Sequence, residues 1–343
     1  MKNKLLYPAF FYVLLIIFIF NTISFAQEKK TKVTEIKKHP RIGISAISGN
    51  KDNLEKFGVS WYFNWTHIPV EGVDLDFMPL IAGYTRGRNV SDEYLANLEK
   101  YIKENPDKYP DGTIWMIGNE IGYPPQHDYR TPEQYAEDYH RCYKMLKKIN
   151  PSFKVAVGAT ILSQNEEHVL AGYIEGKGGL HYIKRVRDVY EKKYGQQMPL
   201  DYYTATAHVL DAHGTDVELF KQQIIRYRKF LASMGQQDKK LIITEFGCTV
   251  AGPSDEQIQN FMKQSLEFVA NAKDDKIGCT EDDGRLVQRW AWFTLHGISY
   301  ERKLQLLGNQ ADFIKLNQTS VIDEKGNISE LGKLFQQCIN NSF

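Results

Sequence analysis

The feature that most constrains the fold is an alternation of two kinds of segment from Arg41 onward. Short apolar, β-branched runs alternate with longer segments in which apolar residues recur every three or four positions, as on one face of a helix. The short runs predict eight strands, over residues 41–47, 58–65, 75–84, 113–120, 153–160, 201–210, 240–247 and 286–296. The longer segments predict helices over residues 92–105, 132–149, 181–194, 217–234, 255–272 and 328–339. Eight strands separated by helices within about 300 residues favour an α/β fold, a single (β/α)8 TIM barrel, over an open sheet.

The predicted barrel is irregular between strands 1 and 3. Only a short helix around residues 51–57 separates the first two strands, and no convincing helical pattern separates the second from the third. Elsewhere the helix boundaries carry clear signals, such as Thr131 followed by Pro132 and an acidic residue, which is typical of a capped helix start. We expect one domain over residues 41–340, preceded by a short lead segment over 27–40.

Residues 1–26 have the order of a secretory signal peptide. Lys2 and Lys4 precede an apolar run from Leu5 to Phe20, and the small residues Ser24 and Ala26 occupy the positions of a cleavage site. The alternative is an uncleaved anchor helix, since the apolar run is nearly long enough to span a bilayer. The signal predicts a secreted or periplasmic protein with no integral membrane segment after cleavage.

Composition excludes several functions. The chain has 43 basic and 42 acidic residues, whereas a protein that binds nucleic acid normally carries a basic excess. We therefore expect no nucleic-acid partner, and we expect a monomer. Four cysteines allow three disulfide pairings in an exported protein, or four buried thiols, and the sequence does not choose between them. These residues are Cys142, Cys248, Cys279 and Cys338.

Two of the predicted strands end in a glutamate. Strand 4 ends in Glu120 and strand 7 in Glu245, and catalytic groups of this architecture lie at the C-terminal ends of strands. Either glutamate alone could be a solvent-facing residue just past a strand, but two at these positions favour a functional pair. Burial and a neighbouring carboxylate can keep one carboxyl protonated while the other is ionised, which is what glycoside hydrolysis requires.

Motifs around both glutamates resemble a known group of enzymes. Gly118-Asn119-Glu120 and Thr244-Glu245-Phe246-Gly247 resemble the two carboxylate motifs of the clan of retaining glycoside hydrolases with (β/α)8 barrels. Four further segments agree with this resemblance: Gly58–Trp65, Phe77–Ile81, Arg289–Phe293 and Leu331–Phe335. Together they are most similar to the glycosyl hydrolase catalytic-core group that includes secreted endo-β-1,3-glucanases. That group usually has proline after the strand 4 glutamate, whereas this chain has Ile121.

The resemblance implies a role for each matching residue. Glu120 is then the general acid/base and Glu245 the nucleophile of a double displacement on a β-linked oligo- or polysaccharide such as β-1,3-glucan, without cofactor or metal. Asn119 would hydrogen-bond the sugar 2-hydroxyl, although it could instead cap a loop. The alternative for the whole chain is a carbohydrate-binding barrel without turnover, and an adhesin or structural protein is a third.

His208 ends strand 6 beside the expected position of Glu245. The resemblance implies that it orients the nucleophile or binds a sugar, and a core histidine satisfied by backbone is equally compatible with the sequence. Together with Asp211 and His213 it could also form a metal site, which the loop spacing does not favour.

Aromatic side chains near the carboxylates would stack on the apolar faces of sugars. Trp292 resembles the strand 8 tryptophan that forms the floor of the subsite beside the cleaved bond, with Trp290 as the alternative on the same strand face. Tyr84 closes strand 3. Three residues that close strand 2 are further candidates for substrate binding: Trp61, Asn64 and Trp65.

Overall fold

The computed structural model describes residues 38–46, 51–123, 128–162, 178–209, 214–296 and 316–341. The predicted signal peptide and nearly all of the lead segment lie outside the described residues.

The strands form one parallel sheet that curves into a barrel. Ten strand segments make eight strands of the barrel, because the third and fifth are each interrupted. In chain order they are β1 His39–Ser45, β2 Val59–Phe63, β3 in two pieces at Asp76–Phe77 and Leu80–Ile81, β4 Ile114–Ile117, β5 in two pieces at Lys154–Val157 and Thr160–Ile161, β6 Tyr202–Thr206, β7 Lys240–Phe246 and β8 Arg289–Phe293.

The interrupted β3 closes the ring. Its first piece pairs with β2, its second piece pairs with β4, and β8 pairs with β1. Pro79 lies between the two pieces and has no N–H to donate to a neighbouring strand, while its carbonyl accepts from the Met116 amide at 2.9 Å. The prediction of a (β/α)8 barrel that is irregular between strands 1 and 3 is confirmed.

Helices cover the outside of the barrel between successive strands, except between β2 and β3, where the described chain has none. They are α1 Lys51–Leu54, α2 Asp92–Glu104, α3 Pro132–Ile149, α4 Gly179–Tyr194, α5 Val217–Ser233, α6 Asp255–Asn271 and α7 Glu330–Asn341. The Thr131 signal corresponds to a full capping box, in which its hydroxyl accepts from the Gln134 amide while the Gln134 side chain accepts from the Thr131 amide. This cap fixes the start of α3, the helix that follows the Glu120 loop.

Two apolar layers fill the molecule, one inside the barrel and one between strands and helices. Side chains alternate between these layers along each strand. On β8, Ala291 lies in the inner layer, whereas Trp290 and Trp292 lie in the outer one. This alternation decides which side chains can reach the barrel mouth.

Cys142, Cys248 and Cys279 are buried thiols outside any disulfide.

Within the described part of the chain, no helix is both long and apolar enough to cross a membrane.

Candidate active site

Glu120 lies in a tight turn directly after β4. Gly118 has φ 86° and Glu120 itself has φ 49°, a left-handed conformation that costs a residue with a Cβ some free energy. Hydrogen bonds hold both sides of the turn: the Gly118 amide donates to Ile81 O at 2.7 Å, and the Ile121 amide donates to Ala159 O at 3.0 Å. The neighbouring strands therefore force the strained backbone that presents the Glu120 carboxyl.

Glu245 reaches the barrel interior because β7 contains a bulge. Ala205 and Thr206 on β6 pair with Ile243 and Glu245, so β7 has one extra residue. Ile243 and Phe246 both lie in the outer layer, which strict alternation would not allow. The extra residue shifts the phase and gives the inward position to Glu245.

The two glutamates are electrostatically coupled. Both are almost completely buried, with 6% of Glu120 and 5% of Glu245 exposed. Burial raises the pKa of Glu120 well above its ordinary value, and the charge of Glu245 raises it further. The structure thus brings together the two carboxyls that the sequence placed 125 positions apart, the difference between positions 245 and 120.

Trp65 and His208 contact Glu245 from two sides. The Trp65 indole N–H donates to Glu245 Oε1 at 2.8 Å, and His208 Nε2 lies 3.7 Å from Glu245 Oε2. His208 Nδ1 donates to Gly247 O at 3.1 Å, and since a carbonyl only accepts, the proton is on Nδ1. Both predicted residues therefore lie beside the Glu245 carboxylate, and Trp65 donates a hydrogen bond to it.

Asn119 presents an unused acceptor. The residue is 5% exposed, and its Oδ1 has no hydrogen-bond partner in the described portion of the chain. Buried polar atoms normally have a partner, so this oxygen is free to accept from a ligand hydroxyl.

The structure corrects the prediction for Trp292. Its side chain is fully buried in the outer layer, where the indole N–H donates to Thr319 O at 2.9 Å and the ring packs on Phe246 and Phe261. Trp290 lies in the same layer. Neither tryptophan can form the floor of a sugar subsite, because both face the helices.

Phe293 occupies the inward position at the end of β8. Its ring centroid lies 5.8 Å from that of Trp65 and 5.1 Å from that of His208. Sequence reasoning missed this residue, although counting by twos from the small Ala291 would have found it.

Two strand 2 candidates also have other roles. Trp61 is 1% exposed inside the barrel, and its indole N–H donates to Arg41 O at 3.0 Å, below the mouth; it is a core residue rather than a sugar platform. The Asn64 amide bonds within its own loop, donating to Ile68 O at 2.9 Å and accepting from Thr66. Asn64 thus stabilises the loop that carries Trp65.

Tyr84 lies at the rim of the site. The residue is 58% exposed. In the described ranges, Tyr84 and Ile68 are the large hydrophobic residues that are exposed to solvent. Burial of its hydroxyl raises the pKa of Tyr84, and the charges of Glu245 and Glu120 raise it further. Tyr84 thus has an exposed ring, and its hydroxyl lies close enough to both carboxylates to feel their charges. An aromatic ring in this position is suited to stacking on a sugar.

Among the described residues, no group of three or more histidines, cysteines or carboxylates could hold an ion. Asp211 and His213, the other members of the possible metal site, lie outside the described residues.

Solved structures of low sequence identity share this fold. An endo-beta-1,3-glucanase of GH128 subgroup IV from Lentinula edodes is 16% identical, covers 86% of this chain and 98% of its own, and superposes with a TM-score of 0.53. A subgroup I endo-beta-1,3-glucanase mutant from Amycolatopsis mediterranei, in complex with laminarihexaose, is 14% identical over 87% of this chain and 99% of its own, with a TM-score of 0.54. A subgroup VII oligosaccharide-binding protein from Trichoderma gamsii is 14% identical over 93% and 98%, with a TM-score of 0.52.

No curated protein matches the chain in sequence. The family model described as the glycosyl hydrolase catalytic core matches residues 43–335, a range that contains all eight strands of the barrel apart from the first residues of β1, and both glutamates. The chain therefore belongs to the glycosyl hydrolase catalytic core family.

Proposed function

We propose that this protein is a retaining glycosidase that cleaves a β-linked polysaccharide such as β-1,3-glucan. In this proposal Glu245 is the nucleophile and Glu120 the general acid/base. The observation that carries it is the coupled, buried pair of carboxyls at the ends of β4 and β7, one of which has a raised pKa because of burial and the other's charge.

The surroundings of each carboxyl suit its role. Glu245 is ionised when it attacks the anomeric carbon, and the Trp65 N–H holds one of its oxygens so that the other is free to react. The raised pKa of Glu120 favours its protonated form, from which it donates the proton to the leaving oxygen. Formation of the ester at Glu245 removes the charge that helped raise the Glu120 pKa. The pKa of Glu120 then falls, so Glu120 stays ionised after its first proton transfer and can accept the proton of the water that releases the sugar.

Several features support a glucan as substrate. Tyr84 at the rim and Phe293 beside Trp65 offer apolar rings, and Asn119 Oδ1 offers an acceptor for a sugar hydroxyl. Two proteins of similar fold are described as endo-beta-1,3-glucanases, one of them bound to laminarihexaose. These neighbours make laminarin the first substrate to test.

Incubation of the purified protein with laminarin, xylan, mannan and chitin tests the proposal. We expect new reducing ends from laminarin, and proton NMR of the first products should show the β-anomer before mutarotation. Release of the α-anomer would contradict retention, and the absence of hydrolysis on every β-glycan would contradict the enzyme proposal.

A second candidate is an oligosaccharide-binding protein without turnover. One structure of similar fold has that description, and Ile121 stands where the resembling group usually has proline. Calorimetric binding of laminarihexaose by a protein that leaves it intact over days would favour this candidate. Hydrolysis that is lost in Glu245→Ala would exclude it.

A further inference from the structure

Four fully buried side chains form a network behind the Glu120 turn: Asp128, Arg130, Tyr135 and Asp138. We call this network the turn clamp. Arg130 binds Asp128 through two hydrogen bonds of 2.9 Å and Asp138 through one of 3.0 Å. Its guanidinium also lies over the Tyr135 ring, 4.9 Å from the centroid. Each nitrogen of the Arg130 guanidinium therefore donates to a carboxylate, and these contacts are buried away from solvent.

The turn clamp contacts the Glu120 turn directly. A Cβ on Gly118 would lie 2.6 Å from Asp128 Oδ2, so the carboxylate fills the space against the start of the turn. At the other end, the Gly122 amide donates to Asp128 O at 2.7 Å. Asp128 thus contacts both glycines that flank Asn119, Glu120 and Ile121.

Tyr135 fixes the strand ends below the turn. Its hydroxyl donates to Ile117 O at 2.5 Å and accepts from the Gly158 amide at 2.8 Å. Ile117 is the last residue of β4, and Gly158 lies in the interruption of β5. The hydroxyl therefore bridges two adjacent strands at the position where the Glu120 turn begins.

The clamp also reaches the loop after β3. Arg130 donates to Ala82 O at 3.2 Å, and the Thr85 hydroxyl donates to Asp128 Oδ1 at 3.1 Å. Ala82 has φ 56°, a second strained residue that this contact holds in place. Tyr84 lies between these two anchored residues.

Buried charges are costly to desolvate, and apolar residues of similar volume often stabilise a fold as well or better. A buried ion network is better suited to fixing one backbone geometry, because each bond constrains direction as well as distance. Here the bonds converge on the left-handed turn that carries Glu120.

We propose that Arg130 and Asp128 are positioning residues for proton transfer by Glu120: they hold its turn in the conformation from which the carboxyl reaches the leaving oxygen. This inference rests on the proposed function of Glu120. Both residues are fully buried and act through the backbone of the turn.

Arg130→Lys tests the inference, because lysine keeps the charge but loses the two-pronged contact with Asp128. The substrates are aryl β-laminaribiosides whose leaving groups range from 2,4-dinitrophenol to phenol. Proton donation matters most for the poor leaving group, so kcat/KM should fall about 10- to 100-fold for the phenyl substrate and less than about threefold for the dinitrophenyl one. The KM values should change little.

Arg228→Lys is the matched control. Arg228 is also fully buried, but it binds Leu286 O, Lys239 O and Gln288 Oε1 at 2.6, 2.8 and 2.6 Å, near the N-terminal ends of β7 and β8. This variant should lower the melting temperature without changing the dependence of kcat/KM on the leaving group. A loss that is equal for all leaving groups in Arg130→Lys would reduce the clamp to a general structural role and overturn the inference.

Tyr135→Phe provides a second test if Arg130→Lys does not fold, since it removes only the bridging hydroxyl. We expect the same selective loss with the poor leaving group, and unchanged leaving-group dependence would contradict the inference. Glu120→Ala measured on the same series separates the two proposals. If Glu120→Ala itself shows no selective loss, the proposed role of Glu120 fails and the positioning role fails with it; a selective loss in Glu120→Ala but in neither clamp variant refutes the clamp alone.

Discussion

At the scale of single residues, the two glutamates differ in their surroundings more than in their burial. Glu245 accepts a hydrogen bond from Trp65 and lies beside His208, whereas no cation pairs with Glu120 among the described residues. Glu245 thus has a hydrogen-bond donor beside it, whereas burial and the charge of Glu245 raise the pKa of Glu120 and favour its protonated form.

The Trp65 contact predicts a specific loss of rate. Trp65→Phe keeps an aromatic ring but removes the donor to Glu245 Oε1, and a hydrogen bond to a charged group contributes about 1.5–3 kcal/mol. We expect kcat/KM for laminarin to fall about 10- to 100-fold, measured by reducing-sugar assay. Trp115→Phe is the control, because the Trp115 indole N–H is buried without a partner in the described ranges; an equal loss there would contradict the role of Trp65.

The raised pKa of Glu120 predicts how stability depends on pH. A carboxyl whose pKa is higher in the folded state binds its proton more tightly there, so it stabilises the fold at low pH. That stabilisation is lost as pH rises through the folded-state pKa. Glu120→Gln does not ionise and should melt on the order of a few degrees higher than the wild type at neutral pH.

The difference in melting temperature between Glu120→Gln and the wild type should disappear near about pH 4. There Glu120 of the wild type is protonated and therefore neutral, as glutamine is. Differential scanning calorimetry across this range provides the measurement, with the exposed Glu104→Gln as the control. A Glu120→Gln variant that is less stable than the wild type at neutral pH would contradict the raised pKa.

At the scale of elements, strand phase decides which side chains reach the site. The sequence correctly predicted which strands end in glutamates, because the apolar runs of β4 and β7 end there. It could not predict the bulge in β7, since a strand that is buried on both faces has no alternating pattern in which an extra residue would show. The prediction for Trp292 was wrong by one position, because alternation from Ala291, which lies inside the barrel, places Phe293 on the inner face and Trp292 on the outer face.

The phase of β8 predicts different effects for neighbouring substitutions. Phe293→Leu should raise the KM for laminarin about 2- to 10-fold, because it replaces an aromatic ring beside Trp65 that can stack on a sugar with a smaller aliphatic side chain. Trp292→Phe should instead lower the free energy of unfolding by about 1–3 kcal/mol with little change in KM, since that ring packs against helices. Urea denaturation and initial rates for both variants test this, and reversed effects would restore Trp292 as the platform.

At the scale of the whole molecule, alternating strands and helices were sufficient to predict the barrel. The turn clamp was not predicted, because Asp128, Arg130 and Asp138 become one network only when the loop after β4 folds against α3. The strained rim was equally hidden: Trp65, Ala82 and Glu120 have positive φ angles that their residue types do not favour. The spacing of apolar residues predicts where helices and strands are buried. The conformation of a loop depends instead on contacts between residues that are distant in sequence.

The predicted export signal gives a test at the same scale. We propose that the chain is cleaved after Ala26 and acts as a monomer outside the cytoplasm, where polysaccharides are accessible. N-terminal sequencing of the protein recovered from the medium or periplasm should begin at Gln27. A mature protein that retains Met1 in the membrane fraction would favour the anchor helix.

The central claim is that a sugar becomes covalently attached to Glu245 during turnover. A 2-deoxy-2-fluoro-β-laminaribioside with a dinitrophenyl leaving group slows release of the sugar and lets the intermediate accumulate. Mass spectrometry of the digested protein should then find the fluorinated disaccharide on the peptide that contains Glu245, and on none in Glu245→Gln. Attachment to a different residue, or hydrolysis of laminarin by a protein that never forms the adduct, would contradict the account.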